Sequence, residues 1–297
     1  VADLFVDEDT TVLLPGPRWG NYDLIFGTKA NGRVVTYPSM SGPQDDHSAW
    51  RFNTEGLAKA IDQVNGKSVL LLNMPSNPSG YSPTLEEVQQ IVSVVQKARG
   101  PMVVVLDEAY KGMEWEEGIL KGSMIESLKH LDPERFLTIK IDGATKELFF
   151  FGGRIGFVTY LTNPSAAAVL EEKTIGGIRA TVSALSSPAQ AMVLAALTSP
   201  TFEDEVAVIR NTLQERYKVL DAALLSSSLD PWPFNSAFFA MIHTPDGAES
   251  TRRRLLDVGV GSVAVNSVHS IRISYSTVPA TDIPEMVRRI ERVVHSS

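Results

Sequence analysis

The chain has 297 residues, is 43% hydrophobic and 21% charged, and carries a formal net charge of -8. That acidic balance, without basic runs, argues against a nucleic-acid or membrane-surface binder, and no stretch approaches the ~18 apolar residues of a membrane helix. With no cysteine, disulfides, thiolate catalysis, cysteine zinc sites and iron–sulfur clusters are excluded, and a cytoplasmic location is the default expectation.

In chain order, Thr10 to Leu14 reads as a buried strand closed by Pro15-Gly16-Pro17, followed by Trp19, Asn21 and Tyr22. Tyr22 to Phe26 opens a helix, and Arg33 to Tyr37 is a short β run. A helix begins at Asn53 or Thr54, with Leu57, Ala60, Ile61 and Val64 at helical spacing. Ser68 to Leu72 is apolar throughout and leads into the turn-rich loop Asn73 to Gly80. A helix starts at Ser82-Pro83-Thr84, and Val88, Ile91, Val92 and Val95 keep its period. Pro101 to Leu106 is another apolar strand, ending at Asp107-Glu108-Ala109-Tyr110; Ile119 to His130 reads as helical. Phe136 to Ile141 and Gly156 to Leu161 are two more strands, flanking Asp142 to Phe157.

Strands that are apolar on both faces and alternate with helices predict an α/β fold: a mostly parallel sheet sandwiched by helices. Ligands bind such sheets at the carboxyl ends of the strands. Trp19, Asn77, Asp107 and Lys146 all fall at or just past such ends. Beyond them, Ser165 to Ser199 is Ala-rich and helical with a break near Gly176-Gly177. Phe202 to Leu225 is one long amphipathic helix with Val206, Ile209, Leu213, Tyr217 and Leu220 on one side. Strands at 237–242, 263–265 and 270–276, a helix over Glu249 to Asp257 and a closing helix capped at Thr281 complete a smaller α+β domain. The predicted division is a large domain over 1–201 and a small C-terminal domain over 202–297.

Several side chains carry chemistry, and each also has an ordinary structural reading. A lysine among small and apolar residues, as Lys146 is, can be desolvated, which lowers its pKa and makes it a nucleophile; it can equally be a surface lysine at a strand end. Arg154 sits in a glycine-rich turn, where a guanidinium can clamp a phosphate. Asp107 ends an apolar strand and needs a cationic partner, or else caps a turn. Tyr110 and Asn77 could hold one oxygen from two sides, or be packing and turn residues; the bond before Pro78 is a candidate cis peptide. Trp19 could stack on a ring, and Arg272 could grip a carboxylate from its strand. Phe149, Phe150 and Phe151 line a pocket or fill core.

Order and spacing join these signals. Asn77-Pro78-Ser79-Gly80, then Asp107-Glu108-Ala109-Tyr110, then Lys146 with Arg154 eight residues on, then Arg272-Ile273-Ser274, together resemble the fold-type-I pyridoxal-phosphate enzymes over essentially the whole chain. They look most like the class I/II aminotransferases. The resemblance implies pyridoxal 5'-phosphate as cofactor and Lys146 as the Schiff-base lysine that also shuttles the proton. It implies that Asp107 pairs with the pyridine nitrogen, that Tyr110 and Asn77 bond the phenolic oxygen, and that Trp19 stacks on the ring. Arg154 and Thr145, with Gly143 nearby, would bind the phosphate; Arg272, helped by Asn77, would bind the substrate α-carboxylate. Amino acids and 2-oxo acids would be the substrates, and a homodimer the assembly.

Two departures stand out. Gly143 occupies a position where the family usually has serine. The family also places a segment of roughly 100 residues, with a glycine-rich phosphate-binding turn, before the Trp19 strand; it is not visible ahead of Val1, so a truncated or shortened aminotransferase is expected. Other expectations compatible with the same residues are a decarboxylase or lyase on this fold, an aminotransferase-like ligand-sensing domain of a transcription regulator, and a catalytically silent remnant.

Overall fold

The computed structural model describes residues 1–296. Its main sheet has six strands: β1 (Thr11–Gly16), β2 (Arg33–Pro38) and, after the two-residue ribbon β3 (Met40–Ser41) and β4 (Arg51–Phe52), β5 (Ser68–Asn73), β6 (Met102–Asp107), β7 (Phe136–Gly143) and β8 (Gly156–Leu161). Their order is β2-β1-β5-β6-β7-β8, parallel throughout except for β8, which runs antiparallel at the edge. The mostly parallel α/β architecture expected from the apolar runs is therefore present.

Successive side chains of a strand point to opposite sides, and the inner strands β1, β5 and β6 are buried on both. In β5, Leu70 and Leu72 join a core with Leu57, Ile61, Val88 and Ile91 from the helices Thr54–Asp62 and Leu85–Val95. Val69 and Leu71 face the other way and pack with Val12, Leu14, Tyr22, Phe26 and Val105. Each fully buried leucine contributes roughly 1.5–3 kcal/mol by leaving water, so β5 holds the two layers together. Both flanking helices start on side-chain caps: Asn53 Oδ1 accepts from Gly56 N at 2.8 Å, and Thr84 with Glu87 forms a reciprocal capping box.

A second sheet, β9 (Phe239–His243), β10 (Val263–Val265) and β11 (Ser270–Ser274), is antiparallel in the order β10-β11-β9. It packs with the long helix Phe202–Leu225 and the closing helix Ile283–His295 around Leu220, Ile271, Ile273, Tyr275 and Ile290. On the long helix Val206, Leu213, Tyr217 and Leu220 are buried as predicted, whereas Ile209 is 41% exposed.

Several local expectations are corrected. Ile119 to His130 holds only the helical turn Ile125–Leu128, because Gly118 and Gly122 both take positive φ and break the winding. The Ala-rich region does not break at Gly176-Gly177: the helix Pro164–Thr181 runs through both, and the break comes at Ser183, whose φ is 65°. Thr281 does not cap the closing helix; Asp282 is the flanking residue, with no side-chain cap bond. Tyr22 to Phe26 is helical but widened into π winding over Asp23–Lys29. β8 is not buried on both faces: Phe157 and Val158 are 46% and 42% exposed.

Candidate active site

Four loops leave the carboxyl ends of β1, β5, β6 and β7 and converge on a cavity of about 650 Å³. Trp19, Asn77, Asp107, Tyr110, Thr145, Lys146, Arg154 and Arg272 all line it. Seven come from the main sheet and its loops; Arg272 reaches in from β11. The eight site residues named from the sequence are thus brought to one place, together with Gly143, whereas Phe149 and Phe150 are not among the lining residues.

Asp107 is the last residue of β6 and lies at the cavity floor. Its carboxylate accepts a hydrogen bond from Tyr22 Oη at 2.5 Å and one from Ala109 N at 3.1 Å. Burial raises its pKa, and these two donors oppose the rise. Among the described residues it has no cationic partner. A buried carboxylate left in that condition is costly, and a positive group brought to the floor would relieve that cost.

Lys146 stands on the turn Ala144–Glu147 that follows β7. Among the described residues its Nζ makes neither a hydrogen bond nor an ion pair. It lies 5.2 Å from the Phe151 ring centroid and 5.7 Å from that of Phe238. Burial first, then the charges of Arg154 and Arg272, lower its pKa below 10.5. That is the environment that makes a lysine amine available as a nucleophile or base.

Arg154 adopts the left-handed conformation, with φ of 53°. Its guanidinium packs near Phe151 and, among the described residues, has no carboxylate partner. Gly143, beside it in the cavity, has open space where a Cβ would stand. Arg272 Nη1 donates to Asn77 Oδ1 at 2.8 Å, and its guanidinium lies 5.4 Å from the Phe239 ring. Asn77 Nδ2 reaches Tyr110 Oη at 3.5 Å, and Asn77 N donates to Asn73 Oδ1. Burial pushes the Tyr110 hydroxyl up to about 12, with Arg272 opposing. The Asn77-Pro78 bond is cis. Trp19 is 41% exposed at the rim, edge-on to Tyr22. Of the three phenylalanines, Phe151 lines the cavity, while Phe150 packs with Ala144 and Ile155.

Four charged groups without an oppositely charged partner among the described residues, Asp107, Lys146, Arg154 and Arg272, therefore face one cavity. The first 290 residues match the family model "Aminotransferase class I and II". The chain belongs to the class I and II aminotransferase family. Among curated relatives, it is 25% identical to an aspartate aminotransferase of Bacillus sp. (strain YM-2) over 98% of this chain and 72% of that one. It is 30% identical to the aspartate aminotransferase of Geobacillus stearothermophilus over 52% of this chain and 36% of that one. A 28% match to the mitochondrial aspartate aminotransferase of Saccharomyces cerevisiae covers 37% of this chain and 24% of the relative. These matched stretches thus span between about a quarter and about three quarters of the relatives' lengths. An aminotransferase structure from Anaerococcus prevotii superposes with a TM-score of 0.87 at 20% identity, covering 98% of this chain and 71% of that one. A Thermus thermophilus aspartate aminotransferase with maleate gives 0.79 at 22% identity, with 98% and 72% covered. The fold is that of these enzymes, and the family is pyridoxal-phosphate-dependent.

Sequence reasoning assigned no role to Tyr22. Its signal was present, a tyrosine three residues after Trp19 at the end of β1, but only the pairing of β1 and β6 with β5 between them shows that it reaches Asp107. Phe238 and Phe239 were also missed; they precede and open β9 and enter the cavity from the second sheet.

Proposed function

We propose that this chain is the cofactor-binding and catalytic part of an aminotransferase, moving an amino group between an amino acid and a 2-oxo acid at the cavity described above. The observation that carries the reading is the set of partnerless charges. Pyridoxal 5'-phosphate is complementary to three of them, offering a ring nitrogen for Asp107, a phosphate for Arg154 and an aldehyde for Lys146. Tyr110 and Asn77 would hold the phenolic oxygen, Thr145 and the Gly143 backbone would add to the phosphate cradle, and Trp19 would cover the ring. When bound, the cofactor supplies an electron sink that weakens the bonds at the substrate Cα.

The remaining work belongs to the protein. Arg272, pre-oriented by Asn77 and by stacking on Phe239, binds the substrate carboxylate and keeps it in place, which favours amino-group transfer over decarboxylation. Lys146 Nζ, with a lowered pKa, is uncharged in a larger fraction than an ordinary lysine. With the cofactor in place it would accept the Cα proton and give it up again on the same face of the site, acting as both base and acid. Phe151 and Phe238 flank that nitrogen and limit water around it.

The division into a large domain over 1–201 and a small domain over 202–297 belongs to the same reading, because Arg272 comes from the second part and the other groups from the first. A homodimer is also part of it. In its support, the helices Pro164–Thr181 and Ser187–Leu197 expose Val169, Ile175, Met192, Leu194 and Leu197, and apolar faces of that kind mark association surfaces.

The test is a half-reaction. The purified chain is loaded with pyridoxal phosphate, freed of excess, and mixed with single amino acids, and the released 2-oxo acid is measured. Stoichiometric oxo acid from the wild type and none from Lys146→Ala is expected. Oxo acid release that survives Lys146→Ala, or its absence from a loaded wild type, contradicts the proposal.

A further inference from the structure

The strand and turn that carry Lys146 also carry part of a cluster of four charged side chains that the mechanism above does not use. Lys140 and Asp142 sit two residues apart on β7 and so share a face of the strand. Lys111 enters from the turn after β6, one residue past Tyr110. Glu147 is the last residue of the turn that carries Lys146. Asp142 Oδ1 is 2.5 Å from Lys111 Nζ and its Oδ2 is 2.7 Å from Lys140 Nζ. Glu147 Oε1 is 3.4 Å from the same Lys111 nitrogen.

The two carboxylates are not equivalent. Burial acts against the ionised form of Asp142, but hydrogen bonds from both lysines overcome it and hold its carboxyl below the usual range. Glu147 has one lysine, at longer range and without hydrogen-bonding geometry. Burial pushes its carboxyl up to about 7; Lys111 opposes the rise, and the negative charge of Asp142 adds to it. Glu108 is a further charged group at the cluster and feels both Lys111 and Lys140. Lys111 is shared, so whatever Glu147 does is felt by the segment that bears Tyr110.

The turn that holds Lys146 needs such support. It is four residues long, far below the length at which a helix is stable alone. Ala144 N to Ile155 O, Phe150 N to Ala144 O and the packing of Ala144 with Ile155, Ala189 and Val193 hold its start, and the charged cluster ties its end, at Glu147, to Lys111. Resting on the function proposed above, we propose that Lys111, Lys140, Asp142 and Glu147 position Lys146: Asp142 binds the Tyr110 segment to β7, and Glu147, when ionised, adds a second tether from the Lys146 turn to Lys111. The placement of the catalytic amine is then coupled to the protonation of Glu147, a positioning residue that does not touch substrate.

The test reads cofactor capture instead of turnover. The cofactor-free chain is mixed with pyridoxal phosphate between pH 5.5 and 8.5, quenched with borohydride at short times, and the adduct on the Lys146 peptide is quantified by mass. For the wild type, the capture rate is expected to rise with the amine and to show an additional step near neutrality. In Glu147→Gln that step disappears, and capture at pH 8 falls roughly fivefold, the scale of one partly exposed ion pair, while capture at pH 6 matches the wild type. Lys111→Met removes the same tether from the other side and is expected to lose the same step. Thermal melts of both variants show whether they are folded. A step retained in either folded variant overturns the cluster assignment while leaving the proposed function intact. A wild type with no adduct on Lys146 overturns both.

Discussion

Tyr22 Oη, past the end of β1, donates a 2.5 Å hydrogen bond to Oδ2 of Asp107, the last residue of β6, across β5, which lies between the two strands. The bond orients the carboxylate at the cavity floor and offsets part of its burial. Burial and the Asp107 charge together raise the tyrosine's own pKa well above the usual value, so it remains a donor at every working pH.

Tyr22→Phe removes that donor and nothing else of comparable size. Hydrogen bonds to charged groups are worth roughly 1.5–3 kcal/mol. The variant is expected to bind pyridoxal phosphate on the order of tenfold more weakly, since the less firmly ionised Asp107 is a poorer partner for a ring nitrogen. Titration followed by absorbance checks it. Unchanged affinity would show that Tyr22 only packs.

Asp107→Asn separates stability from function. The folded-state pKa of Asp107 is raised, so the wild type loses stability as pH rises through that value and recovers it below the unfolded value. Asparagine keeps the shape without the charge. The cofactor-free variant is therefore expected to be more stable than the wild type at pH 8. That advantage is expected to vanish near pH 4. The variant is also expected to bind pyridoxal phosphate less well. A variant less stable than the wild type at pH 8 would contradict the partnerless-carboxylate account.

Arg272→Lys keeps the charge and loses the planar fork that pairs with a carboxylate and with Asn77 Oδ1. Amino acid KM is expected to rise roughly 10- to 100-fold, matching the loss of one charge-assisted hydrogen bond. The affinity for pyridoxal phosphate is expected to stay the same, because Arg272 serves the substrate. A KM unchanged within twofold would remove Arg272 from that role.

Gly143→Ser tests the phosphate side. The backbone there is extended, with φ of -147°, and a Cβ meets no atom within 4 Å. A serine is therefore accommodated without strain, and its hydroxyl adds a donor to the cradle of Arg154 and Thr145. Pyridoxal phosphate is expected to bind about fivefold tighter, from a net hydrogen bond of about 1 kcal/mol, with the melting temperature of the cofactor-free chain unchanged. Weaker binding would place the phosphate elsewhere.

Much of this site could be read from sequence because its parts sit at strand ends. The apolar runs at 68–72, 101–106 and 136–141 identify parallel strands, and the residues that follow them, Asn77, Asp107 and Lys146, must then share one edge of the sheet. Thr84 with Glu87 announces its helix because a capping box is a local device. What the sequence does not disclose is non-local. The Tyr22–Asp107 bond depends on sheet order, and the Lys111–Asp142–Glu147 cluster joins three segments whose charges look, one at a time, like solvated side chains. The short turn at Ile125–Leu128 reads as a longer helix because periodicity is blind to the positive φ values of Gly118 and Gly122.

The central claim is that Lys146 is the amine that captures pyridoxal phosphate. Borohydride reduction of the loaded protein, followed by peptide mapping, tests it most directly. The account predicts a single phosphopyridoxyl mass increment on the peptide containing Lys146, formed at neutral pH because burial and the neighbouring arginines depress that amine, and lost in Lys146→Ala. An increment spread over surface lysines, or one that persists at full yield in Lys146→Ala, would contradict it.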